Sequence, residues 1–259
     1  MGHGVFLGLI LLTGVVTVRL QLLSPGGAGA AAILAIPIFG FGGWMWAVPM
    51  LVFFLLSSLL SRVGKARKTA FEHVFEKGGR RDAGQVLANG GVAGAVAIVF
   101  AATGRTDLYP LYCTALAAAA ADTWATELGT LAKGKPRLVT TFRRVPPGTS
   151  GAVSTRGLVS ATLGALGVAL AGWFYEGTFL TVLLVTFCGV LGSLMDSLLG
   201  ATLQGQFRCG TCDAVTEKRI HCEGETERVS GWAWMNNDWV NGLSIAGATA
   251  VALGVYWAV

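Results

Sequence analysis

Apolar runs of about 20 residues, each long enough to cross a hydrocarbon core of about 30 Å, follow one another along most of this chain, at positions 4–23, 28–43, 44–61, 83–103, 108–132, 155–175, 178–206 and 237–257. A bilayer interior offers no water to unsatisfied backbone groups, so each run reads as a helix that satisfies its own. Charged residues make up only 13% of the 259 positions and hydrophobic ones 53%, too little charged surface for a water-soluble domain of this length. The reading is an all-α polytopic membrane bundle of about eight transmembrane helices. It forms one domain over 1–259, with loops at 62–82, 133–154 and 207–236. The 37 glycines imply closely packed helices. The first run has no basic segment before it and no small-residue cleavage site after it, so it reads as a retained span.

Basic residues set the orientation, because cytoplasmic loops carry the excess of Lys and Arg. With eight spans, all but Arg105 of the 19 Lys and Arg fall on one side. The loops after the third, fifth and seventh runs are therefore expected to be cytoplasmic and both termini external, in the cell's inner membrane.

Acids then become informative, since a charge at membrane depth is costly and marks a functional site by default. Asp122 and Asp196 lie toward the cytoplasmic ends of inward-running spans, and Asp238 lies at the cytoplasmic mouth of the last. The outer halves, such as Ala95 to Ala102 and Ile245 to Trp257, carry no charge. A polar site open to one side only, with no internal repeat, argues against a carrier. It suits an enzyme that meets a water-soluble donor and a lipid acceptor.

Hard oxygen ligands at such a mouth suit Mg²⁺, which takes one or two carboxylates plus water and substrate phosphates. Asp122, Asp196 and Asp238 are the candidate ligands, with Ser193 on the same stripe as Asp196, and Asn237 and Asn241 beside Asp238. Glu127 is rotated about 140° from Asp122 on the same helix, so it need not share that ion and is free to meet a basic side chain. Two segments are candidates for binding phosphate. One is the basic pair Arg143-Arg144 followed by the Gly/Ser/Thr loop holding Thr149, Ser150 and Ser154, which leads into a helix N-terminus. The other is Lys65, Lys68, Arg80 and Arg81, which flank Gln85 and Asn89. An ordinary flexible turn is the bland alternative for the first.

Five ordered strings are more specific than any of these alone: Gln85-Val86-Leu87-Ala88-Asn89-Gly90-Gly91, Ala121-Asp122-Thr123-Trp124-Ala125-Thr126-Glu127-Leu128-Gly129, Gly148-Thr149-Ser150-Gly151-Ala152-Val153-Ser154, Gly192-Ser193-Leu194-Met195-Asp196-Ser197-Leu198-Leu199-Gly200-Ala201-Thr202 and Asn237-Asp238-Trp239-Val240-Asn241. Over about Leu51 to Asn241 they resemble the transmembrane protein 19 family, whose plant chloroplast relative is the phytyl-phosphate kinase of tocopherol synthesis. The resemblance implies a kinase that moves a phosphoryl group from a nucleoside triphosphate, CTP above all, to an isoprenyl monophosphate such as phytyl phosphate. Nucleotidyl transfer to a lipid, or a non-catalytic lipid or ion transporter, are the alternatives. No nucleic-acid partner is expected.

Cys209, Cys212, His221 and Cys222 place four soft ligands in one cytoplasmic loop, the spacing of a small Zn²⁺ site. A redox-active pair, or no bond at all, are the other readings, because the adjacent His221 and Cys222 must both turn toward one ion. The tryptophans, Trp44 and Trp46 among them, read as interfacial anchors.

Overall fold

The computed structural model describes residues 3–63, 79–131 and 134–258. Its helices are α1 (His3–Arg19), α2 (Pro25–Arg62), α3 (Ala83–Thr103), α4 (Tyr109–Gly129), α5 (Thr155–Glu176), α6 (Phe179–Thr202) and α7 (Asn237–Ala258). The protein is a helical membrane protein: among the described residues α2, α3, α5, α6 and α7, five helices, are by length and composition long and apolar enough to cross a bilayer.

Helix α2 spans the second and third apolar runs and contains one non-helical residue, Gly43, with φ 64° and ψ −155°. Its two ends meet at Arg81. The Ser24 amide donates to the Arg81 carbonyl at 2.9 Å, and Arg81 Nη1 donates to Ser58 Oγ at 3.4 Å. An uninterrupted helix would set Ser24 and Ser58 about 50 Å apart, at 1.5 Å per residue. The chain therefore doubles back at Gly43, where a positive φ suits a residue without a Cβ.

Aromatic side chains pin that turn to the start of α4. Trp46 stacks on Phe100 at 4.5 Å and lies 4.6 Å from Tyr112, whose hydroxyl donates to the Trp46 carbonyl at 2.6 Å. Trp46 is fully buried, not an interfacial anchor, whereas Trp44 is 60% exposed.

The centre of the bundle is α4, buried without interruption from Tyr109 to Ala121. Its alanines let neighbours come close, and glycines meet them: a Cβ added at Gly192 would lie 2.7 Å from the Ala118 Cβ, and one at Gly189 would lie 3.0 Å from that of Ala117. Helices α5, α6 and α7 pack around it.

Caps fix where helices begin at the basic end. Asp82 and Gln85 form a reciprocal capping box on α3, and Ser154 Oγ accepts from the Gly157 amide at 3.0 Å to cap α5. The seventh apolar run was expected to reach position 206, but α6 stops at Thr202. The following loop is not irregular. It folds into a sheet of β3 (Gln206–Cys209), β4 (Val215–Thr216), β5 (Ile220–His221) and β6 (Gly224–Ser230) in the order β4-β3-β6-β5, all antiparallel. A smaller hairpin pairs β1 (Arg137–Leu138) with β2 (Ala152–Val153).

Candidate active site

At the basic end the helices part around a cavity of about 1130 Å³. Asp122 of α4 and Asp196 of α6 both line it, and their carboxyls face each other within hydrogen-bonding reach. The reason is local: Ala118 and Gly192 bring α4 and α6 almost into backbone contact one turn earlier, so the next inward-facing side chains must meet. Ser193 lies beside Asp122, and Ser244 Oγ of α7 donates to Asp196 Oδ2 at 3.4 Å. Glu217, from the link between β4 and β5, adds its charge near Asp196. Acids held this close repel when ionised, and a shared divalent cation relieves that repulsion. The set of carboxylate and hydroxyl oxygens fits Mg²⁺, with room left for water and phosphate oxygens.

Glu127 belongs to a second cluster on the same wall, as its rotation from Asp122 suggested. Ser61 Oγ donates to Glu127 Oε1 at 2.5 Å, and the facing charge is Arg81. Burial pulls the Arg81 guanidinium pKa below its ordinary value, and Glu127 works in the opposite direction. Arg81 also sits 6.0 Å from the centre of the Phe54 ring. It thus joins both arms of α2 to the floor of the cavity.

Helices α3, α5 and α7 all begin at this cavity, each aiming the positive end of its dipole and its first free amides there. Residues of their first two turns line it, among them Gln85 and Asn89 of α3, Gly157 of α5, and Asn237 and Asn241 of α7. So does the loop 147–154, ahead of α5. Gly151 adopts φ +77°, and a Cβ there would lie 2.6 Å from the Ser197 carbonyl oxygen, so the loop is seated on α6 with no room for a side chain. Ser150 Oγ donates to the Gln204 Oε1 at 2.7 Å and to the Gly200 carbonyl at 3.2 Å, and Thr149 Oγ1 donates to the Pro146 carbonyl. Those hydroxyls build the loop, and Ser154 caps the helix. The backbone amides are what the loop presents to an anion.

The expected set is only partly assembled. Arg80, Arg81, Gln85, Asn89, Thr149, Ser150, Ser154, Ser193, Asn237 and Asn241 line the cavity with Asp122, Asp196 and Glu127. The Gln85 side-chain carbonyl is committed to the capping box, and Arg80 Nε donates to the Leu23 carbonyl at 3.1 Å. Asp238 is not on the lining. Asn237 and Asn241, four apart on α7, point to one side, and Asp238 is turned about 100° from Asn237. Arg143 and Arg144 are also off it, exposed on the β1–β2 loop, where Arg144 bridges to Arg137. Lys65 and Lys68 lie outside the described residues. Glu217 and Lys218 line the cavity from between β4 and β5, and Ser244 reaches Asp196 from α7. None of the three stood out in the sequence. The signal for Ser244 was its place three residues after Asn241 on one helix.

Away from the cavity, Cys209, Cys212, His221 and Cys222 come together, with their ligand atoms all within 4.8 Å of one another. A hydrogen bond from His221 and the amides of Cys212 and Thr211 lower the Cys209 thiol pKa to about 6. Cys222 is pushed up to about 11, mainly by its hydrogen bond with Cys212.

A helical bundle enclosing an acid-bearing cavity at one end defines a polytopic membrane protein with a polar site between its helices. The chain belongs to the family described as integral membrane protein DUF92, which matches residues 8–249. It is 34% identical over 245 residues to Protein PGR of Arabidopsis thaliana, covering 84% of this chain and 83% of that protein. It is 37% identical over 178 residues to an uncharacterized membrane protein of Methanocaldococcus jannaschii, covering 69% and 73%. To the chloroplastic Protein VTE6 of Arabidopsis thaliana it is 24% identical over 241 residues, covering 89% and 64%. No solved structure matches. These matches bear out the family resemblance carried by the five motifs.

Proposed function

We propose that the chain transfers a phosphoryl group from a nucleoside triphosphate, CTP being the first donor to test, to an isoprenyl monophosphate, giving the diphosphate. The observation that carries this reading is the pairing of Asp122 with Asp196 in a cavity onto which α3, α5 and α7 open their N-termini. The similarity to VTE6 and the motif resemblance to a chloroplast phytyl-phosphate kinase point the same way. The volume, about 1130 Å³, exceeds the roughly 300–1,000 Å³ that encloses one drug-sized ligand and suits two phosphate-bearing substrates together.

An oxygen of the acceptor phosphate attacks the terminal phosphorus of the donor, and the bond to the nucleoside diphosphate breaks. The acceptor is already ionised near neutral pH, so the site needs positioning and charge neutralisation more than a base. Asp122 and Asp196 would hold Mg²⁺, which supplies charge to offset the phosphates of the donor. The helix N-termini and the amides of the 147–154 loop orient the phosphates, and Arg81 and Lys218 add positive charge along the wall. Leu158 of α5 lines the cavity and is 40% exposed, so it offers an apolar surface on which a prenyl tail would rest.

The test uses full-length protein in detergent, donors labelled on the terminal phosphate and a panel of prenyl monophosphates. Labelled prenyl diphosphate is expected, with Asp196→Asn slower by at least about 100-fold and Asp238→Asn within about tenfold of the parent. Undiminished turnover by Asp196→Asn would remove the proposal's basis. A nucleoside-diphosphate lipid in the product mass spectrum would indicate nucleotidyl transfer instead. Flux across proteoliposomes without turnover would indicate a transporter.

A further inference from the structure

The geometry assigns one Zn²⁺ to Cys209, Cys212, His221 and Cys222, as a staple that holds the four-stranded sheet and the wall residues Glu217 and Lys218 in place. The spacing matches the ion. Tetrahedral zinc with Zn–S of about 2.3 Å and Zn–N of about 2.0 Å sets its sulfurs about 3.8 Å apart and each sulfur about 3.5 Å from the nitrogen. Cys212 Sγ and Cys222 Sγ are 3.8 Å apart, and His221 Nδ1 lies 3.5 Å from the first and 3.3 Å from the second. A disulfide would require sulfurs about 2.05 Å apart. Cys209 completes the set from the end of β3, buried beneath the others.

Backbone conformation resolves the difficulty of two adjacent ligands. Neighbouring residues on a strand point to opposite faces, which would send His221 and Cys222 apart. Cys222 instead has φ 50° and Glu223 has φ 63°, turning the chain so that both side chains face the same point. These two residues form the tight turn between the paired His221 and Gly224, and left-handed backbone at both is the geometry such a two-residue hairpin favours.

The ligand pairs bracket the segment that enters the cavity. Between Cys212 and His221 lie β4, Glu217 and Lys218, and the latter two line the cavity near Asp196. Loss of the ion would free that segment at both ends. This assignment does not depend on the phosphoryl-transfer reading, since it is read from metal content.

Full-length protein purified in detergent without chelator should contain about one zinc per chain by elemental analysis. Cobalt exchanged into it should give the intense visible bands of a tetrahedral thiolate site. Cys212→Ser and Cys222→Ser should each lose the metal, while Cys188→Ser, at a buried cysteine inside α6, should keep it. Because a ligand variant can fail to fold, a strong zinc chelator is also added to the parent protein. Release of zinc together with new reactivity of three thiols supports the assignment. Zinc below a tenth of stoichiometry with those thiols reactive from the start, iron in its place, or a Cys212–Cys222 disulfide found by mass spectrometry would overturn it.

Discussion

Glu127 shows how a half-buried acid can serve the architecture while standing apart from the acid pair beside it. It accepts from Ser61 and faces a buried Arg81, which itself fastens both arms of α2. Glu127→Gln keeps the shape and removes the charge, leaving the cation without its counter-charge. The expected result is a loss of about 1–3 kcal/mol, read as a lower melting temperature in detergent, with a smaller effect on the KM for nucleotide. Leu158 poses a different question, because it is an exposed apolar side chain on the cavity lining. Leu158→Trp should raise the KM for a prenyl phosphate about tenfold while leaving the donor's KM unchanged, measured in the same labelled-donor assay. Equal effects on both substrates would place the tail elsewhere. At this scale the shared stripe of Ser193 and Asp196 on α6 follows from helical spacing alone, and the structure sets both on the cavity lining with Asp122 of α4. Asp238 falls off the lining because the residue facing the cavity depends on the rotation of α7, which the apolar pattern of a membrane helix does not reveal.

Among the elements, α5 has the most instructive beginning. Ser154 caps it, and the same turn lines the cavity, so stability and binding can be separated at one position. Ser154→Ala should cost about 1 kcal/mol. Ser154→Asp keeps a capping oxygen, so thermal stability should hold, but its charge opposes phosphate and should raise substrate KM several-fold. Parallel losses in both variants would mean the helix start serves stability only. The helices were legible as apolar runs, and even the boundary at Gly43 within α2 was visible. The sheet was not. β4 and β5 are two residues long each, too short for alternation to register, and they are held by tertiary contacts. Trp46 was misread for a related reason: a tryptophan near a span end suits either an interface or a packed turn, and only its neighbours Phe100 and Tyr112 decide.

For the whole molecule the governing property is polarity of the ends. One end carries the tight Trp46–Tyr112 packing, and the other carries the acids, the helix N-termini and the sheet. The sequence already contained this asymmetry in its charge distribution, but how loops 147–154 and 203–236 close over the cavity depends on contacts that no local pattern encodes. The wrapping of α4 by its neighbours has a consequence for how the protein is made. With Asp122 and Glu127 aboard, that helix is not among the five apolar enough to enter a bilayer by composition, so it must be carried in by helices already there or by those still emerging from the ribosome. A chain ended after α4 and fused to a glycosylation reporter should show the segment poorly inserted, and extension through α6 should rescue it. Equal insertion at both lengths would mean that the segment enters unaided.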